Sequence, residues 1–175
     1  GIVCLAVCGG AAAAVGGGAG SGGPACVFVE NTGQWNLPEV LYVMQGTGGR
    51  VGLTDRGPVF ELSPQGLGGA VTESNPFRLV LEGAAPVVPT ARSADHGGVL
   101  WYEAVYPGVD LEVLARPTGI KYNFHVAPGA DWRAIRLRYE GIRGLSLRPD
   151  GAMEIRLNNG GDRKSTRLNS SHITI

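Results

Sequence analysis

The side chains able to move a proton or hold a metal are few, and carboxylates lead them. In the segment GVDLEV, Asp110 and Glu112 stand two residues apart, which on a strand puts both carboxylates on one face. Such a pair can serve glycoside hydrolysis, one group as acid and the other as base or nucleophile. On the solvent side of an edge strand the same pair simply meets Arg or Lys across a ladder. His125 lies on the polar face of GIKYNFHV with no His or carboxylate two residues away. His96 sits in the loop SADHGG beside Asp95 and has no other local partner for base or metal chemistry. Asp131, just before Trp132-Arg133, suits an N-cap or Asx-turn. The G-x-S-x-G nucleophile motif and the EF-hand spacing are both absent from the sequence. All three cysteines, Cys4, Cys8 and Cys26, fall within the first 26 residues, so the rest of the chain has no thiolate zinc site or disulfide frame. No catalytic set, metal or cofactor is therefore expected.

Aromatic residues are the other candidates. Trp35, Trp101, Tyr102 and Trp132, with Tyr106 nearby, have the ring types that form sugar-stacking platforms on β-sandwiches. The same rings more often fill cores or cover sheet edges.

Short strands must position these groups. The chain has 29 Gly and 11 Pro in 175 residues and 43% hydrophobic residues, a balance that favours turns and strands over long helices. VLYVM, RVGLT and PVFEL are separated by GTGG and by Asp55-Arg56-Gly57, which predicts a hairpin at the latter. FRLVLEG alternates Phe77, Leu79 and Leu81 against Arg78, Val80 and Glu82. In GIKYNFHV, Ile120, Tyr122, Phe124 and Val126 share one face; in AIRLRYEG, Ile135, Leu137 and Tyr139 do. Pro149-Asp150-Gly151 predicts a further hairpin between LSLR and AMEIRL. No window keeps a helical period, and GADWRA holds a single turn at most. The expectation is an all-β fold, an antiparallel sandwich-like two-layer sheet of about ten short strands. FRLVLEG and IRLRYEG echo one another, as two equivalent strands of a duplicated half or as convergent patterning.

The two ends read differently from the middle. Residues 1–26 run from an apolar stretch through Ala into Gly/Ser, which fits a signal-peptide remnant and linker and is too short and Gly-rich to span a membrane as a helix. Gly18, Gly20 and Gly23 make a formal GxGxxG, but Pro24 and a β-branched run follow it where a dinucleotide site needs a helix. Residues 162–175, DRKSTRLNSSHITI, carry no apolar alternation and resemble the in-frame translation of a short-read sequencing adapter, so they are expected to be artefactual. The 15 basic and 15 acidic residues balance, and without this tail 12 basic and 14 acidic remain. That argues against a nucleic-acid partner, which needs clustered Lys and Arg. The β-rich domain is expected at residues 27–161.

Several motifs in this order carry a family resemblance: VFVENTGQW from Val27, FRLVLEGA, YEAVYPGVDLEV, KYNFHVAPGADWRAIRLRYEG and LSLRPDGAMEIRL. Together they resemble the uncharacterised domain that precedes SBBP (seven-bladed β-propeller-type) repeats in large secreted bacterial proteins. The family's N-Y-F-x-G segment is missing between EGAAPVVPT and VLWYEAVYPG, and strands expected after the PDG hairpin are missing too, so the domain reads as incomplete at its C-terminus. The resemblance implies a non-enzymatic structural or interaction module at the N-terminal end of a secreted or cell-envelope-associated repeat protein. It implies downstream propeller repeats of the same longer chain as partners and no established ligand; a surface glycan or protein is a separate candidate partner. A carbohydrate-binding sandwich module is the alternative, and a hydrolase using Asp110 and Glu112 the third reading.

Overall fold

The computed structural model describes residues 2–8, 26–46, 49–62, 76–92, 97–116, 119–147, 149, 153–158 and 166–168. The strands are β1 (Ile2–Cys8), β2 (Val29–Glu30), β3 (Tyr42–Gly46), β4 (Gly49–Thr54), β5 (Gly57–Leu62), β6 (Phe77–Leu81), β7 (Val99–Tyr106), β8 (Val109–Arg116) and β9 (Gly119–Val126). A 3-10 turn at Trp132–Ala134 leads to β10 (Leu137–Glu140), β11 (Ile142–Leu147), β12 (Met153–Leu157) and β13 (Thr166–Leu168). They form a four-stranded sheet ordered β1-β9-β8-β7, a six-stranded sheet β10-β6-β5-β4-β3-β2 and a small sheet β11-β12-β13. Every ladder is antiparallel.

The two larger sheets share one core. Leu100 and Tyr102 of β7, Leu111 and Val113 of β8, and Ile120, Tyr122 and Phe124 of β9 form a buried cluster with Met44, Val51, Leu53, Phe60, Phe77 and Leu79 of the six-stranded sheet. Each such side chain taken fully from water contributes about 1.5–3 kcal/mol before its ordering entropy is counted. Phe60 and Phe77, cross-strand partners, stack with centroids 4.8 Å apart. Three tyrosines from the first sheet end on groups of the second. Tyr102 Oη donates to the Thr54 carbonyl at 2.8 Å and Tyr106 Oη to the Glu82 carbonyl at 3.0 Å, while Tyr122 and Tyr139 pair through their hydroxyls at 3.2 Å. Burial pushes the Tyr102 and Tyr122 hydroxyls well above the ordinary phenol range and raises that of Tyr139, so they act as neutral hydrogen-bonding groups.

The sandwich-like, antiparallel all-β expectation holds, with more strands than the predicted ten and a third small sheet. Ile155 of β12 reaches the common core, whereas Leu145 and Leu147 of β11 are 49% and 74% exposed. The predicted hairpins at Asp55-Arg56-Gly57 and around Pro149 are present, with Thr54 opposite Gly57 and Leu147 opposite Met153. Of the predicted front segment, Ile2–Cys8 lies antiparallel along β9; Gly18, Gly20 and Gly23 lie outside the described residues. Most of the 162–175 tail does as well, apart from β13. The two echo segments turn out to be direct partners, with Leu81 opposite Leu137 and Leu79 opposite Tyr139.

Turn residues account for several of the distinctive motifs. In ENTGQW, Asn31 Nδ2 donates to the carbonyls of Leu37 (3.0 Å) and Val40 (2.8 Å), and Asn31 Oδ1 accepts from the Gly33 amide at 3.1 Å. Gln34 Nε2 closes back on the Glu30 carbonyl at 2.6 Å. One amide side chain thus holds a ten-residue loop against the sheet, which is why Asn cannot be exchanged for an apolar residue there. YPG and APG form adjoining turns: the Ala127 amide donates to the Gly108 carbonyl at 2.8 Å, and the Ala130 amide to the Ala127 carbonyl at 3.0 Å. Gly108 has φ +71°, and a Cβ there would lie 2.8 Å from Ala130 Cβ, so both backbone and space demand glycine.

Candidate functional site

Two surfaces bring polar side chains together, one on the outer face of each large sheet. On the four-stranded sheet, β7, β8 and β9 turn Trp101, Glu103, Asp110, Glu112, Asn123 and His125 away from the core. Asp110 pairs with His125 and Glu112 with Asn123 across the β8–β9 ladder. Glu112 Oε2 accepts from Asn123 Nδ2 at 2.6 Å and lies 3.1 Å from His125 Nε2. The His125 ring sits 4.7 Å from the Trp101 ring, tilted by 43°. Over the same indole, at 4.0 Å, lies the Arg92 guanidinium. Arg92 donates to Glu103 Oε1 at 3.0 Å and to Asp110 Oδ2 at 2.7 Å. Thr90, two residues earlier, exchanges both backbone hydrogen bonds with Trp101 and so brings Arg92 over the sheet.

Asp110 holds a backbone distortion in place. The β7–β8 register shifts between Tyr102 and Tyr106, and inside this bulge Ala104 takes φ +51°. Asp110 Oδ1 accepts from the Ala104 amide at 2.7 Å. That amide, then Arg92, hold the Asp110 carboxyl below its ordinary range. Asp110 is therefore an anion whose two oxygens are both engaged. The bulge is what allows Val105 and Tyr106 both to be buried after Glu103 and Ala104 have faced out.

These contacts revise several expectations. β8 is an interior strand, and Asp110 and Glu112 face His125 and Asn123 rather than a ladder of Arg or Lys; Arg92 reaches Asp110 from a loop. The two carboxylates share a face as the spacing predicts, and each is tied to a different set of partners. His125 has the carboxylate neighbour that its own strand lacks, supplied by β8. His96 lies outside the described residues. Among the described residues, no group of three His, Cys, Asp or Glu is arranged to hold a metal ion.

The aromatic candidates separate in space. Tyr102 is fully buried with its hydroxyl on Thr54, so it offers no face to a sugar. Trp101 is outward but sits between Arg92 and His125. Trp132, 41% exposed in the 3-10 turn, has the Arg133 guanidinium 5.0 Å from its ring centre. Asp131 caps that turn through the Arg133 amide at 3.0 Å, as expected. Trp35 is half-buried in the loop held by Asn31. No two of the four rings stack on each other among the described residues.

The second surface was not singled out by sequence reasoning. On the outer face of the six-stranded sheet, one cross-strand row runs Val43, Gly52, Val59, Arg78, Glu140. The Asn31 loop lays Leu37, Glu39 and Val40 beside it, leaving a groove of about 460 Å³. A Cβ on Gly52 would come 2.9 Å from Val40 Cγ1, so glycine lets the loop approach and keeps the groove floor low. Arg50 pairs with Glu61, and Arg78 pairs with Glu39 at 2.9 Å. The signal for this site was present as Gly52 two residues after Arg50 on the outward face, between the inward Val51 and Leu53, but alternation alone does not tell which loop covers the wet face.

Residues 89–166 match a family described as a domain of unknown function, DUF7948. The matched region begins in the segment that carries Arg92 and includes the whole β7–β8–β9 meander and β10 to β12. No curated protein and no solved structure matches the chain significantly.

Proposed function

We propose that the β-rich region is a non-enzymatic structural or interaction module of a secreted or cell-envelope-associated protein, standing ahead of propeller-type repeats in a longer chain. The observation that carries this reading is how the distinctive motif residues are used. Asn31, Gln34, Pro107, Gly108, Gly129 and Asp131 all build turns, and on the first sheet Arg92 engages Glu103 and Asp110 while Glu112 engages Asn123 and His125. Groups engaged this fully support a scaffold rather than a reacting centre, which keeps a nucleophile or base available to substrate. The export context and the repeats rest on the resemblance of the motifs.

Antibody raised against residues 26–158 tests the reading in the native organism. The native protein is expected in the medium or envelope fraction. Confinement to the cytosol would overturn the exported role. A hydrolytic activity of the native protein lost in Asp110→Asn or Glu112→Gln, with each variant still folded under the assay conditions, would overturn the non-enzymatic one.

Carbohydrate binding is the second reading, and the exposed Trp132 ring favours it. Binding on a glycan array that disappears in Trp132→Ala supports that role; no binding by the parent chain removes it.

A further inference from the structure

The groove beside Val43 and Val59 does not end at Arg78. A second hollow of about 270 Å³ continues from it, sharing Val59, Arg78 and Glu140 and adding Arg56 and Arg138. The two parts differ in chemistry. Val40, Val43 and Val59, with the bare Gly52 between them, give the first part an apolar floor, and the paired charges Arg50–Glu61 and Arg78–Glu39 stand at its sides with Glu140. Three guanidiniums, Arg56, Arg78 and Arg138, against the single lining carboxylate Glu140, make the second part basic.

We propose that this continuous depression binds a small amphiphilic carboxylate, its apolar chain over the Val43–Val59 floor and its head group on Arg78. The size supports a small molecule, since about 460 Å³ falls in the range of ligand pockets. Charge complementarity selects the anionic head: a guanidinium takes a carboxylate with two parallel hydrogen bonds, and Arg78 already holds one from across the groove. That carboxylate is Glu39, on the Asn31 loop, at 2.9 Å, with both partners about half exposed. Glu39 thus acts as an internal competitor for the same guanidinium. A bound carboxylate replaces it without leaving Arg78 unpaired, and Glu39 turns out into water. Arg138 is tied to Glu82 at 2.7 Å and to Glu140, so its charge is already matched, and Arg78 with Arg56 carries the attraction for the head group.

Calorimetric titration of the full chain with sodium dodecanoate below its micelle concentration tests this. Saturable binding is expected, with acetate and methyl dodecanoate at least about tenfold weaker, because each lacks one half of the complement. Glu39→Gln should bind dodecanoate several-fold more tightly, and Arg78→Gln about tenfold more weakly. Tightening in Glu39→Gln is the signature that a nonspecific apolar surface would not give. Equal binding of the methyl ester, or unchanged affinity in Glu39→Gln, overturns the proposal. Circular dichroism melts check the fold, and should Arg78→Gln not fold, Glu39→Gln with the methyl ester still decides the matter.

Discussion

At the scale of single residues, Asp110 couples the surface network to the backbone. It satisfies the amide of Ala104, a non-glycine residue at φ +51°, and anchors Arg92 across the Trp101 ring. Replacing it with Asn gives the Ala104 N–H a poorer acceptor to donate to and removes the charge-assisted bond from Arg92. Asp110→Asn is expected to cost about 1–2 kcal/mol at neutral pH, measured by chemical denaturation. Because the folded carboxyl titrates below its ordinary range, its contribution is complete above the unfolded value and fades as pH falls through the folded one. The gap between parent and variant should therefore begin to narrow below about pH 4; a gap that does not narrow as pH falls would refute the role. The sequence made the shared face of Asp110 and Glu112 legible through period two. It could not show Arg92, which comes from a loop 18 residues away. Neighbours on a strand point to opposite faces, so Trp101 and Tyr102 cannot share one platform, and the outward Trp101 goes with an inward Tyr102.

At the scale of elements, turns were the most legible parts because their chemistry is local. The Asp55–Gly57 hairpin, the Asp131 cap and the YPG turn follow from residue types within four positions of each other. The contact between the YPG and APG turns was not legible, since it joins residues about 20 apart whose packing depends on the β8–β9 ladder. Gly108→Ala tests that contact. Left-handed backbone and a 2.8 Å approach to Ala130 Cβ act together. A loss of about 1–3 kcal/mol is expected in denaturant titration, whereas Gly129→Ala, with the same sign of φ but open space around it, should lose only the backbone part, about 1 kcal/mol. Equal losses in the two variants would show that the approach of the turns contributes nothing.

For the whole molecule, alternation announced two-layered sheet but not the partition of strands. A strand's pattern tells which side is apolar and not which sheet it joins, so β11 and β12 read as members of the main sandwich when they form part of a third sheet. That sheet leaves Leu145 and Leu147 exposed on a strand that, among the described residues, forms its edge, an apolar strip beside an open ladder. The chain is therefore expected to self-associate at high concentration. Leu145→Lys/Leu147→Lys should shift it toward monomer in light scattering while changing stability by no more than about 0.5 kcal/mol per site, as for other exposed positions. Unchanged association in this double variant would place the sticky surface elsewhere.

The pairing of β6 with β10 has a symmetry beyond its ladder. Leu79 and Leu81 correspond in the repeated pattern to Leu137 and Tyr139, and the pairs Leu81–Leu137 and Leu79–Tyr139 exchange under that correspondence. The bond from the Glu82 amide to the Arg136 carbonyl extends the same relation by one step. A local two-fold axis thus runs between Val80 and Arg138, and each strand is written to be met by its own likeness. Such a palindromic joint does not distinguish a strand of its own chain from that of a neighbour. Arm exchange between two copies through β10 would keep every one of these bonds and alter only the connection through residues 127–136.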